Sequence, residues 1–211
     1  SITGNTVNSS IYGIYLNYYL VGPGLFGSSS LTMGGLSITG NTVNSSIYGI
    51  YLDYSFVGLD MFGTSSVTMG GLSIRGNTIN SGGDGIYLDY YEVGYDQYDN
   101  VSVVMGGVSI EGNTINSTND GIYLYYEDFG EEMGINSCLT TGGVSIRGNT
   151  INSGGDGIYL NYSDVGDFTF GTPSLTMGGL SITGNRIDGA SYGIGVEYYV
   201  YNCDNSTVTM G

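Results

Sequence analysis

The sequence predicts an all-β fold, a single parallel β-helix (β-solenoid), and three observations carry that prediction. Ser-Ile recurs at Ser1, Ser37, Ser73, Ser109, Ser145 and Ser181, a spacing of 36 residues each time with no insertion or deletion between starts. A period that strict places residues 36 apart directly above one another in stacked turns. Glycine is abundant (39) and proline scarce (2), a balance that suits tight turns between short strands and disfavours long helices. Hydrophobic residues make up 40% of the chain and charged residues 10%, so a core is affordable and disorder is not expected.

One domain is expected over residues 1–211, with repeats at 1–36, 37–72, 73–108, 109–144, 145–180 and 181–211. The two halves of a repeat do not resemble each other, so the repeat reads as one large coil, with two unlike smaller coils as the alternative. Six coils about 4.8 Å apart give a solenoid about 29 Å long.

Each element of the coil has its own reason. Leu or Val followed two residues later by Ile, as in Leu72-Ser73-Ile74, is a short strand with one buried face. Gly-Asn then marks a bend in every repeat, and the six asparagines, Asn5, Asn41, Asn77, Asn113, Asn149 and Asn185, are expected to bond amide to amide in a structural ladder. Val or Ile follows (Val7 to Ile187), and after a polar turn comes Gly-Ile-Tyr-Leu-X-Tyr, whose alternation puts Ile14, Leu16 and Tyr18 on one face and Tyr15 on the other. Tyrosine columns are therefore expected on both sides of this strand. The coil closes on Leu31-Thr32-Met33 and a Gly-Gly corner.

Only positions 19 to 29 of the repeat diverge, as in Glu92-Val93-Gly94-Tyr95-Asp96-Gln97-Tyr98-Asp99 against Phe56-Val57-Gly58-Leu59-Asp60-Met61-Phe62. That divergence predicts an outward loop that makes lateral contacts, with Phe62, Tyr95, Tyr98, Phe129, Phe168 and Phe170 as its contact residues.

The charge restricts partners. Three Lys and Arg against 19 Asp and Glu leave a net charge of −16, which excludes nucleic acid and disfavours anionic membranes. No run approaches the roughly 20 apolar residues of a membrane span, so membrane insertion is not expected. The chain opens on Ser1, without an initiator methionine or a charged-then-apolar leader, and reads as a processed product or a piece of a longer protein. Sequons at Asn8, Asn44, Asn100, Asn116, Asn161 and Asn205 are candidate glycosylation sites and suit an extracellular or cell-surface location. Cys138 and Cys203 lie two coils apart, beyond the roughly 7 Å a disulfide spans, so a bridge needs a loop excursion or a neighbouring chain; two idle thiols are the simpler reading.

Ile74-Arg75-Gly76-Asn77-Thr78-Ile79 followed by Gly85-Ile86-Tyr87-Leu88 resembles the repeat of right-handed parallel β-helix proteins, the pectate-lyase-like and NosD-type carbohydrate-binding and copper-processing families. The resemblance covers all six repeats but about half of each, since the Tyr-rich stretch and the Thr-Met-Gly-Gly corner lie outside it. It implies a right-handed helix and a secreted life in contact with polysaccharide.

Chemistry is sparse. A lyase of this kind uses Ca²⁺ on clustered carboxylates with an Arg or Lys base, and a glycosidase needs two carboxylates about 5 to 10 Å apart. Carboxylates are plentiful at Asp53, Asp89, Glu92, Asp96, Glu127, Asp128, Glu131, Glu132, Asp164 and Asp167, but histidine is absent. The three arginines are few as bases, and Arg75, Glu111 and Arg147 at one repeat position read as an ion-pair clip between coils. No catalytic residue and no cofactor are expected; calcium at the turn carboxylates of Gly82 to Gly85, Asn119 to Gly121 and Gly154 to Gly157 is the one ion the sequence admits.

The expected role is structural: a surface building block stacking head to tail with copies of itself into a fibre, sheath or layer. By architecture alone this is similar to the sheath proteins of some methanogenic archaea. A polysaccharide-binding or polysaccharide-cleaving domain, or an adhesin segment, is the alternative.

Overall fold

The computed structural model describes residues 1–166, 171–189, 191–200 and 207–211. Every coil contributes four strands, which in the third coil are Leu72–Arg75, Thr78–Ser81, Ile86–Tyr91 and Ser102–Met105. Corresponding strands stack into four parallel sheets of six strands each, called here the first to fourth sheets in chain order. Pairing follows the period: Ile74 faces Ile110, Ile79 faces Ile115, Leu88 faces Leu124 and Val103 faces Leu139. The repeat is thus one coil, and no helix occurs among the described residues. The sixth coil alone breaks the spacing, with Ser174 pairing Thr207, three residues short of the period.

Strand alternation builds the core. Ile74, Ile79, Ile86, Leu88, Val93 and Val103 of the third coil are fully buried, as are their counterparts Ile110, Ile115, Ile122, Leu124 and Leu139. Tyr18, Tyr54, Tyr90, Tyr126, Tyr162 and Tyr198 form the inner tyrosine column, their centroids 4.6–4.9 Å apart and their planes within 9° of parallel. Register sets one ring per coil at a strand spacing of about 4.8 Å, and burial of Tyr54, Tyr90, Tyr126 and Tyr162 in the wall goes with their parallel stacking.

The asparagine ladder bends the chain between the first and second sheets. Asn41, Asn77, Asn113 and Asn149 are each 1% exposed. Asn77 Nδ2 donates to Asn113 Oδ1 (3.0 Å) and to the carbonyl of Ile38 (2.9 Å), and the backbone N–H of Asn77 donates to the same Oδ1 (2.9 Å). Each buried amide therefore satisfies backbone groups that the bend would leave orphaned. Two glycines show different reasons for being glycine. Gly76 before the asparagine has φ 61° with open space around a Cβ, so it is required by conformation. Gly85 is required by contact: a Cβ would sit 2.5 Å from the Gly121 carbonyl oxygen and 2.3 Å from Ile115 Cγ2.

The structure corrects the expectation for positions 19 to 29. The stretch is a sharply bent part of the wall, hydrogen-bonded coil to coil: Glu92 N–H donates to Glu127 O (3.0 Å), Gly94 N–H to Val57 O (2.8 Å) and Gly130 N–H to Val93 O (2.9 Å). Its backbone repeats although its sequence does not. Leu20, Phe56, Glu92, Asp128 and Asp164, one per coil, all have φ between 49° and 59°, and Gly22, Gly58, Gly94, Gly130 and Gly166 are left-handed two residues later. Between them Val21, Val57, Val93, Phe129 and Val165 point inward and are buried.

Candidate functional surface

Phe129, expected as a contact residue, is fully buried, its ring edge-on to Tyr126 at 5.5 Å. It occupies the inward position that valine holds in the other coils, which removes it from any contact surface. The other aromatics of the stretch do reach the outside. Phe62 is half-buried and lies in a stack with Phe26 (4.9 Å) and Tyr98 (4.5 Å), the planes within 5° of parallel. Tyr98 ends this stack and is 45% exposed. Phe168 and Phe170 lie outside the described residues.

Acids surround the end of that stack. Tyr98 Oη donates to Asp96 Oδ1 (3.1 Å), which with the nearby charge raises the Tyr98 hydroxyl pKa. Tyr95 is half-buried; burial and then the Glu132 and Glu131 charges push its pKa up to about 12. Glu132 and Asp96 hold the same repeat position in adjacent coils, and the neighbouring carboxylate raises the Glu132 pKa, since a proton between the two relieves their repulsion. Asp96, Tyr98, Asp99, Glu132, Gly134 and Ile135 line a hollow of about 350 Å³.

A second aromatic surface is the outer face of the third sheet. Tyr15, Tyr51, Tyr87, Tyr123 and Tyr159 climb it with centroids 5.1–5.3 Å apart, and Tyr12 and Tyr48 pack beside them. Asp53 and Asp89 sit within it, in register. Burial, then the charges of Asp53 and Glu127, raise Asp89 from 3.8 to about 6. Asp53 accepts a hydrogen bond from Ser55.

The turn carboxylates that admitted calcium have a structural employment. Asp84 Oδ1 accepts the backbone N–H of Asp120 (3.0 Å), Asp120 Oδ1 that of Asp156 (2.7 Å), and Asp156 Oδ1 that of Tyr192 (2.9 Å). Among the described residues no group of three or more metal-ligating side chains forms. The Arg-Glu-Arg clip is present, with Glu111 3.8 Å from Arg75 and 3.0 Å from Arg147.

A second asparagine ladder escaped sequence reasoning. Asn44 Nδ2 donates to Asn8 Oδ1 (2.8 Å), Asn80 to Asn44 (2.8 Å) and Asn116 to Asn80 (2.9 Å), on the outer face of the second sheet. The recurrence of asparagine three residues after five of the six Gly-Asn pairs was the available signal. Three sequons fall on this ladder, and the amide nitrogens of Asn44 and Asn116, where a glycan would attach, are hydrogen-bonded in it. Asn100 is exposed and accepts from Asn136 (3.3 Å), while Asn161 is half-buried in the third sheet. Asn205 and Cys203 lie outside the described residues; Cys138 is half-buried with its Sγ 3.3 Å from Ser102 Oγ.

Architecture and surface together define a parallel β-solenoid with aromatic and acidic outer faces. Comparison with protein-family models, with characterised proteins and with solved structures finds no match to this chain.

Proposed function

We propose that this chain is a structural β-solenoid that stacks head to tail with copies of itself into a fibre, sheath or surface layer outside the cell. The observation that carries the reading is translational register: each coil pairs with the next residue for residue at the same offset through the first five coils. A coil built this way fits beneath any other coil of the same kind, whether that coil belongs to the same chain or to another copy. A head-to-tail contact of this kind that does not close propagates without limit.

Light scattering and negative-stain imaging over a range of concentrations test this. Filaments should lengthen with concentration, and a polar, proline-containing segment fused after Gly211 should stop their growth while the chain stays folded. A native chain that remains monomeric at high concentration, or a capped chain that still forms filaments, would overturn the proposal.

A polysaccharide-binding reading has one observation of its own, a shallow hollow along the outer ladder lined by Asn44, Ser45, Asn80, Ser81, Asn116 and Ser117. The likeness to pectate-lyase-like and NosD-type repeats supports the same reading. Calorimetric titration with neutral oligosaccharides tests it: the Asn80→Ala, Asn116→Ala chain should lose affinity, and an unchanged isotherm removes this alternative.

A further inference from the structure

The outer aromatic stack stops abruptly. Phe26, Phe62 and Tyr98 lie one above another at 4.9 and 4.5 Å, with planes 5° and 2° apart. The position below Tyr98 in the fourth coil is Gly134, which brings no ring, and the hollow of about 350 Å³ opens there. One face of the Tyr98 ring is thus covered by Phe62, while the residue remains 45% exposed at the open end of the stack.

The rim of the hollow specifies charge. Asp96 and Glu132 hold the same repeat position in adjacent coils, beside the Gln97–Met133 bridge, and line the hollow together with Asp99. No described arginine stands at this rim. Arg75 and Arg147 are held by Glu111 on the first sheet, and Arg186 is on the second sheet. A flat, exposed ring face with adjacent carboxylates on one side matches a planar cation. A guanidinium meets both demands, since it stacks on an aromatic face and its fork of N–H donors bridges two carboxylates. An ammonium is drawn to both as a point charge but neither lies flat on the ring nor presents a fixed fork of donors.

We propose that the hollow between Tyr98 and Gly134 is a binding site for an arginine side chain, with the guanidinium stacked on Tyr98 and bridging Asp96 and Glu132. The site does not depend on end-to-end stacking, because it faces sideways from the solenoid wall. The occupant is Arg186 of a second copy, which is exposed and has no carboxylate within ion-pair distance among the described residues.

The test uses the full chain and a dye-labelled Gly-Arg-Gly-Arg-Gly peptide, with its lysine counterpart as comparison, read by fluorescence anisotropy at low and moderate salt. The arginine peptide should bind about fivefold or more tightly than the lysine peptide. Asp96→Asn with Glu132→Gln should weaken it about tenfold, whereas Asp53→Asn with Asp89→Asn, an equal charge loss on another face, should change it less than about twofold. Tyr98→Ser should erase the preference for arginine over lysine. Circular dichroism on each variant establishes that it is folded. Sedimentation of Arg186→Gln tests the source: lateral association should weaken, and unchanged association overturns the assignment to a second copy. Equal binding of the two peptides, equal weakening by the two acid pairs, or no binding at all overturns the proposal.

Discussion

Two asparagine ladders climb this solenoid three residues apart in sequence, one inside the wall and one outside it. The inner places one amide in each of six coils and the outer one in each of the first five, and both join neighbours by Nδ2–Oδ1 bonds of 2.8–3.0 Å. Their surroundings differ. Asn113 of the inner ladder is 1% exposed, and its Nδ2 also donates to the Ile74 carbonyl (3.0 Å), while its backbone N–H donates to Asn149 Oδ1 (2.9 Å). Asn80 of the outer ladder is half-exposed, in contact with water that can replace its partner. The same bond is therefore structural in one place and nearly neutral in the other, because a lost hydrogen bond is costly only where the remaining group cannot reach solvent.

The largest effect expected from breaking this comparison is at Asn113. Asn113→Ala leaves the Ile74 carbonyl and the Asn77 amide without partners in a dry bend, and should cost about 3 kcal/mol in a chemical-denaturation measurement. A loss below about 0.5 kcal/mol would mean that the bend holds without its ladder.

Gln97 sharpens the rule from the other side. It is 1% exposed, in the inward column of Met61 and Met133, and neither its Nε2 nor its Oε1 has a hydrogen-bond partner. Gln97→Met should therefore stabilise the chain by about 1 kcal/mol, since it removes an unsatisfied buried amide and keeps the volume and shape of its neighbours. A lower melting temperature for this variant would contradict the burial argument.

Asp89 extends the comparison from amide to carboxylate, in a column where Asn17 and Asn161 show that an amide fits. Its pKa is about 6 in the folded chain against 3.8 unfolded, so the folded form binds the proton more tightly. Stability from this group rises as pH falls from about 6 to 3.8, and the cost of its charge is fully present above 6. Asp89→Asn should raise stability at pH 7 by an amount on the order of 1 kcal/mol, allowing for solvent screening, and should flatten the dependence of melting temperature on pH between 4 and 6. An unchanged pH slope would refute the assignment.

The smallest effect is expected at the outer ladder. Asn80→Ala should change stability by about 0.5 kcal/mol or less, as a surface substitution whose partners can turn to water. A cost similar to that of Asn113→Ala would dissolve the distinction between the ladders.

Much of this architecture was readable from the chain alone. The 36-residue period dictates register, because parallel strands in stacked coils have only one offset that keeps Ile over Ile and Asn over Asn, and the alternation in Gly-Ile-Tyr-Leu-X-Tyr dictates which tyrosines face in. The Arg75–Glu111–Arg147 clip follows from the same arithmetic. What the tertiary structure decided lies where sequence and backbone part company. Positions 19 to 29 vary in side chain, and variation was read as a loop. The left-handed residue at each of Leu20, Phe56, Glu92, Asp128 and Asp164 keeps one backbone path and sends Phe129 inward. The Val-Gly pair shared by four of those coils was the surviving sign of it, since Gly supplies the second left-handed residue and Val fills the core between. The hollow below Tyr98 was likewise out of reach, because it arises from a ring in one coil and its absence in the next. That is a relation between residues 36 apart, and only the folded wall sets it in space.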